Sequence, residues 1–146
     1  MERATRAGEI APRDDRIVWS VVIPAYNEAS RLPAYLGEVI AFFEGRGEPY
    51  EVIVVDDGSR DATRARAREV EAVHPRVRLI ALPQNRGKGY AVRVGMVNAR
   101  GAFRLFADAD GATPIAELKR LLPAFEAGAD IVIGSRVLVN PSVSVQ

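Results

Sequence analysis

Short apolar runs alternate along the chain with longer stretches whose apolar positions recur every three or four residues. Residues 17–23 form an apolar, β-branched run that predicts a buried strand, with Pro24 expected to close it. Leu32, Leu36, Val39, Ile40 and Phe43 then fall on one helical face, and Gly45 and Gly47 predict the helix end. Residues 50–55 predict a second strand. Residues 61–73 are rich in helix formers, with Ser59 or Asp61 as the cap. The apolar stripe of that helix is thin, which predicts packing at an edge, and Arg64, Arg66 and Arg68 read as its solvated face. Residues 77–82 predict a third strand, and 88–99 a helix burying Ala91, Val94 and Val97. Residues 103–107 predict a fourth strand and 129–133 a fifth. Between these two, Pro114 opens a helix with Ile115, Leu118, Leu121, Leu122 and Phe125 on one face and Pro123 near its end.

Strands alternating with helices predict an α/β fold: three α/β/α layers around a mostly parallel sheet covered on both faces. Composition narrows the function more than the fold. The 146 residues suffice for one domain with a core, and a net charge of +1 offers no electrostatic footprint for nucleic acid. The absence of cysteine excludes disulfides and thiolate metal sites, and one histidine, His74, is too little for a histidine-rich zinc site. No run approaches the ~20 apolar residues of a membrane span. Residues 1–16 are polar, carry Arg3, Arg6, Arg13 and Arg16, and lack the apolar run of a signal peptide; they are expected to be a flexible arm. Residues 137–146 show no helical pattern and are expected to be a tail.

The unusual residues follow the strands. Pro24-Ala25-Tyr26-Asn27-Glu28, Asp56-Asp57-Gly58-Ser59, Asn85-Arg86-Gly87-Lys88-Gly89, Asp108-Ala109-Asp110-Gly111 and Gly134-Ser135-Arg136 each come directly after an expected strand. In an open parallel sheet the carboxyl ends of the strands share one edge, and ligands bind there. Asp108 and Asp110, two apart on an expected strand end, would point the same way and reach one hard cation, Mg²⁺ or Mn²⁺. The alternative is a solvated turn that happens to hold two aspartates. Asp56 and Asp57 are adjacent, so one is expected to face the ligand and the other to support the turn. The loop 85–89 combines glycines, two cations and a helix N-terminus, which suits an anion. It matches neither the Walker A spacing nor the dinucleotide fingerprint. Arg136 could clamp a phosphate or be an ordinary surface arginine.

Taken together, Val-Val-Ile-Pro-Ala-Tyr-Asn-Glu at 21–28, Val-Val-Asp-Asp-Gly-Ser at 54–59, Asn-x-Gly-Lys-Gly at 85–89, Asp-Ala-Asp at 108–110 and Gly-Ser-Arg at 134–136 resemble the family 2 glycosyltransferases of GT-A fold. The resemblance covers residues 17–136 and is strongest to the dolichyl- and polyprenyl-phosphate group. Phe-Ala-Asp-Ala-Asp-Gly-Ala-Thr at 106–113 looks like the β-glucosyltransferase type, because Ala112 stands where mannosyl members carry glutamine.

The resemblance implies that Pro24, Tyr26 and Glu28 line the nucleoside pocket. It implies that Val55 and Asp57 meet the base, with Asp56 in support, and that Lys88 lies near the nucleotide or incoming phosphate. Asp108 and Asp110 would bind the metal and Arg136 the phosphates, these three being the catalytic residues. The implied activity is inverting, metal-dependent transfer of glucose from UDP-glucose to dolichyl or polyprenyl phosphate. The alternatives are a GDP-mannose-dependent mannosyltransferase and a non-catalytic nucleotide-binding module. Family members continue well past Gly-Ser-Arg, so this chain is expected to be the donor half of a truncated enzyme, binding nucleotide and metal but turning over poorly. The full-length protein is expected at the cytoplasmic face of a membrane, held peripherally through the missing part.

Overall fold

The structure, a computed structural model, describes residues 10–134. The chain divides into two compact units, Met1–Thr113 and Pro114–Gln146.

The first unit is a four-stranded sheet. β1 (Trp19–Ala25) pairs with β2 (Tyr50–Asp56) on one side and β4 (Phe103–Phe106) on the other, and β2 pairs with β3 (Val77–Ala81). The order is β3-β2-β1-β4 and every pairing is parallel. The helices are the crossovers: α1 (Leu32–Arg46), α2 (Thr63–Val73) and α3 (Lys88–Asn98).

The register sorts the side chains. Trp19 stands opposite Tyr50, and both rings meet Phe43 of α1, at 6.1 and 5.4 Å between centroids. Val22 stands opposite Ile53, and the two belong to a core cluster with Val55, Leu82, Ala91 and Ala99 on the α3 side. Asp56 pairs with Arg64 of α2, so α1 and α2 cover one face and α3 the other. All seven residues of β1 and of β2 are buried, which is why both read as unbroken apolar runs.

Pro24 does not close its strand. Val22 O accepts the Ala107 N–H, whereas Ala25 O accepts the Asp57 N–H. Alternation therefore turns Pro24 toward the β4 side, where pairing has already ended at Val22 opposite Phe106. Its missing N–H lies where no ladder bond would form. At the end of α1 the helix runs through Gly45 and stops at Gly47, whose φ of 73° lets its N–H return to the Phe43 and Glu44 carbonyls.

Other expectations are corrected. Part of the arm is fastened: Ala11 N–H donates to Val97 O at 2.7 Å, Asp14 N–H to Arg100 O at 3.0 Å, and Ala11 is buried. Residues 1–9 and 135–146 lie outside the described residues. Arg64 is no solvated residue, since its Nε donates to the buried Asp56 at 2.9 Å and its Nη2 to Leu82 O at 2.9 Å. In the second unit a 3-10 turn, Ile115–Glu117, leads into α4 (Leu118–Glu126), with Pro123 inside it. Ile115, Leu118 and Ala124 are its buried side chains. Residues 129–133 form no strand: Ile131 and Ile133 are exposed, and β-branched residues become a strand only through a ladder partner.

Two contacts set how tightly α3 lies on the sheet. Gly95, not Val97, is the buried position at the centre of its face. A Cβ at Gly95 would stand 2.2 Å from Val22 Cγ1, so the bare backbone of the helix rests directly on the valine side chain. Near the amino ends of the strands, Glu51 is buried and its Oε1 accepts the Ser20 hydroxyl and the Arg100 N–H, both at 2.7 Å. Its Oε2 faces Arg100 at 3.4 Å and Arg78 at 3.5 Å, and Ser20 Oγ accepts the Gly101 N–H at 2.8 Å.

Gly95→Ala should lose roughly 1–3 kcal/mol of stability although alanine is the better helix former, because the overpacking exceeds the propensity gain. Glu51→Gln should cost about 3 kcal/mol, since it leaves two arginines facing a buried site without their counter-charge. Urea denaturation followed by circular dichroism checks both.

Candidate functional site

The carboxyl edge of the sheet gathers four of the five motif clusters. The fifth ends at Arg136, outside the described residues, so the expected phosphate clamp has no described position.

Two of the clusters are laced together. The turn after β1 has Asn27 at φ 52°, a left-handed conformation that asparagine tolerates better than most residues. Its N–H donates to Ser59 Oγ at 3.0 Å, and its Oδ1 accepts the Arg60 N–H at 2.9 Å. Glu28 N–H donates to Thr63 Oγ1 at 2.8 Å, and Ala29 N–H to Asp61 Oδ2 at 3.2 Å. Asp61 also accepts the Thr63 N–H and hydroxyl at the start of α2; those bonds, the hydroxyl first, hold its carboxyl below the usual range. The lacing leaves Tyr26 exposed at the edge, with Pro24 buried behind it. Glu28 is engaged by Arg31, at 2.7 and 2.9 Å.

The two aspartates after β2 divide their work, though not as expected. Asp56 is wholly buried and supports the turn, accepting the Ser59 N–H at 3.2 Å and the Arg64 guanidinium. Asp57, expected to read a base edge, is also buried. Its two oxygens accept the Arg86 N–H at 2.7 Å and the Gly87 N–H at 2.9 Å. It therefore holds the loop that opens α3. The same loop is pressed against Gly58, where a Cβ would lie 2.5 Å from the Asn85 nitrogen. Val55 is buried in the α3-side core, so its side chain has no face for a nucleoside. Alternation along β2 aims Val55 into that core.

The clamped loop delivers three exposed groups to the edge. Arg86 lies over the Tyr90 ring at 5.2 Å, and Lys88 is the first residue of α3. Two cations at a helix N-terminus are equipment for an anion. Lys88 Nζ also donates to Asp108 Oδ1, joining the β3–α3 loop to the segment after β4.

That segment is not a strand end. β4 stops at Phe106 and the chain turns through Gly111, whose φ is 67° and whose N–H donates to Asp108 O at 3.3 Å. Asp108 and Asp110 thus lie on a turn rather than on an alternating strand end. Asp110 is exposed and its Oδ1 accepts the Ala112 N–H at 2.9 Å. Among the described residues no group of three or more His, Cys, Asp or Glu side chains is placed to hold a metal. The pair fits a hard cation that takes its remaining oxygens from a phosphate ligand, as Mg²⁺ commonly does.

Tyr35 on α1 supports this turn from beneath, and the sequence reading missed it. Its ring would stand 3.2 Å from a Cβ on Gly111, and its hydroxyl donates to Thr113 O at 3.5 Å. Burial first, then Glu38, Asp108 and Asp110, push its pKa up to about 12, so it stays a donor at neutral pH. A tyrosine three residues from Leu32 on an apolar stripe reads as core; its hydroxyl was the only signal.

Known proteins carry the same assembly. Residues 20–145 match the glycosyl transferase family 2 domain. The chain is 48% identical over 140 residues to a dolichyl-phosphate beta-glucosyltransferase of Drosophila melanogaster, covering 86% of this chain and 43% of that protein. A human protein of the same name is 45% identical over 109 residues, covering 70% and 34%. The chain thus spans less than half the length of these relatives. The mannosyltransferase PcManGT from Pyrobaculum calidifontis, solved with GDP-Man and Mn²⁺, matches with TM-score 0.59 at 29% identity, over 74% of this chain and 32% of that one. Mannosyl-3-phosphoglycerate synthase from Rubrobacter xylanophilus matches with TM-score 0.63 over 77% of this chain and 37% of that one, and at 24% identity shows the fold alone. The parallel sheet with polar turns on its carboxyl edge is the GT-A fold, and the chain belongs to glycosyl transferase family 2.

Proposed function

We propose that this chain is the donor-binding part of an inverting glycosyltransferase that moves glucose from UDP-glucose to dolichyl or polyprenyl phosphate. The observation that carries the reading is the meeting of Lys88 and Asp108 at the carboxyl edge, beside the α3 N-terminus. Cation, carboxylate and the first turn of a helix together suit a metal-bound diphosphate. The relatives named dolichyl-phosphate beta-glucosyltransferase support glucose as the sugar and dolichyl phosphate as the acceptor.

In this proposal an oxygen of the lipid phosphate attacks the anomeric carbon of glucose. A new carbon–oxygen bond forms as the bond to UDP breaks, the electron pair leaves on the diphosphate, and the configuration inverts. The acceptor phosphate is already ionised at neutral pH, so no strong general base is needed and the protein's work is positioning and leaving-group stabilisation. A divalent cation, Mg²⁺ or Mn²⁺, held by Asp108 and Asp110 would neutralise charge on the diphosphate. Lys88 and the α3 N-terminus face the same charge, and Arg136 would add a further cation. Tyr26, exposed at the edge, is the side chain of its cluster best placed to stack on a base. No helix among the described residues is long and apolar enough to cross a membrane. The full-length enzyme would meet its lipid acceptor peripherally, at the cytoplasmic face.

A second reading, a GDP-mannose enzyme, draws on the Pyrobaculum structure solved with GDP-Man and Mn²⁺. Ala112 weighs against it, because it offers no side-chain ligand beside Asp110. Calorimetry with UDP, GDP and NAD, with and without Mn²⁺, separates the readings. UDP should bind far more tightly with Mn²⁺ than without it, and Asp110→Ala should weaken the metal-dependent binding at least about tenfold, the loss of one charge-assisted metal ligand. Stronger binding of GDP would favour the second reading, and metal-independent binding of NAD would overturn both.

A further inference from the structure

Lys88 sits on the oxygen that a cation would want. Its Nζ donates to Asp108 Oδ1 across twenty residues of sequence, and the two side chains are 58% and 39% exposed. The main chain beneath it is not free to move with it. Asp57, buried at the end of β2, accepts both the Arg86 and Gly87 N–H groups, and Gly58 packs against the backbone of Gln84 and Asn85. One rigid end and one half-exposed, four-carbon side chain make Lys88 an arm that can exchange partners without a change in the fold.

We infer that Lys88 is a built-in counter-cation of Asp108 that competes with the metal and hands its charge to the incoming diphosphate when metal and nucleotide bind together. The inference rests on the donor-site reading above and assigns that site a regulation. An ammonium on Asp108 opposes a second cation arriving alone, since like charges at contact distance repel even in a high dielectric. A nucleoside diphosphate changes the balance by offering the ammonium oxygens of its own, at the helix N-terminus where anions are favoured. Lys88 then leaves Asp108 to the metal and pairs with phosphate. Metal and nucleotide thereby acquire a positive coupling: each binds weakly alone and better in the other's presence. Lys88 is here a positioning residue for the cation and a direct contact of the diphosphate.

The test uses the 146-residue chain and two calorimetric titrations, MnCl₂ alone and UDP at saturating MnCl₂. Lys88→Met should tighten Mn²⁺ alone by roughly three- to tenfold, the range for removing one half-exposed opposing charge. The same variant should weaken UDP at saturating Mn²⁺ by about tenfold, the loss of one charged phosphate contact. Lys88→Arg keeps the charge and should leave the affinity for Mn²⁺ alone unchanged. A merely structural role would weaken both titrations together, so the opposite signs are diagnostic. Unchanged or weaker Mn²⁺ binding in Lys88→Met overturns the inference, as does unchanged UDP affinity. If the wild-type chain shows no Mn²⁺-dependent UDP binding, the donor-site reading fails. If it does and Lys88→Met matches it in both titrations, only the counter-cation role fails.

Discussion

β1 is the constraint on which the rest depends. It pairs in parallel on both sides, and all seven of its residues are buried, so every neighbour must bring its own cover. Parallel pairing also sends each connection back over a face of the sheet, which leaves all carboxyl ends on one edge. The polar turns meet there because β1 gives them a common origin. The cost of keeping so many charged groups at one edge is met locally, by bonds from each turn to the next rather than to water alone.

The two ends of the sheet handle charge differently. At the amino end, Glu51 sits buried between Ser20, Arg78 and Arg100, every partner supplied by the protein. That closed network fixes strand order by joining β1, β2, β3 and the entry to β4. At the carboxyl end the carboxylates fall into two classes. Asp56 and Asp57 are buried and spent on the fold, whereas Asp108 and Asp110 keep exposed oxygens. Of these four aspartates, the second pair has the carboxylate surface open to a ligand.

Strands, helices and the edge itself were legible in the sequence because period and turn residues are local signals. Four strands and four helical segments lie where the spacing put them. Three misreadings share a cause: each concerned where a side chain points once the chain is folded. Asp57 was expected to face a ligand because its neighbour Asp56 would face the other way, yet the next loop closes over it. Val55 stands one residue from the edge, but alternation turns it into the core. Arg64 shared its spacing with Arg66 but reaches Asp56, eight residues back, and the Leu82 carbonyl. The run at 129–133 had strand composition but no ladder partner among the described residues. Tyr35 and Gly95 were hidden for the opposite reason, since a helical stripe shows which residues are buried but not what they touch.

The close seating of Gly95 on Val22 has a consequence for time. Gly95 and Lys88 are seven residues apart on α3, about 10 Å along the axis. The helix is therefore pinned at both places, by a methyl group against bare backbone and by a carboxylate across two amides. A rod held at two points is restrained from rocking, and side-chain rotation, the motion left least restrained at its tip, takes picoseconds to nanoseconds. An exchange of partners at the edge therefore asks for a side-chain rotation and no displacement of α3.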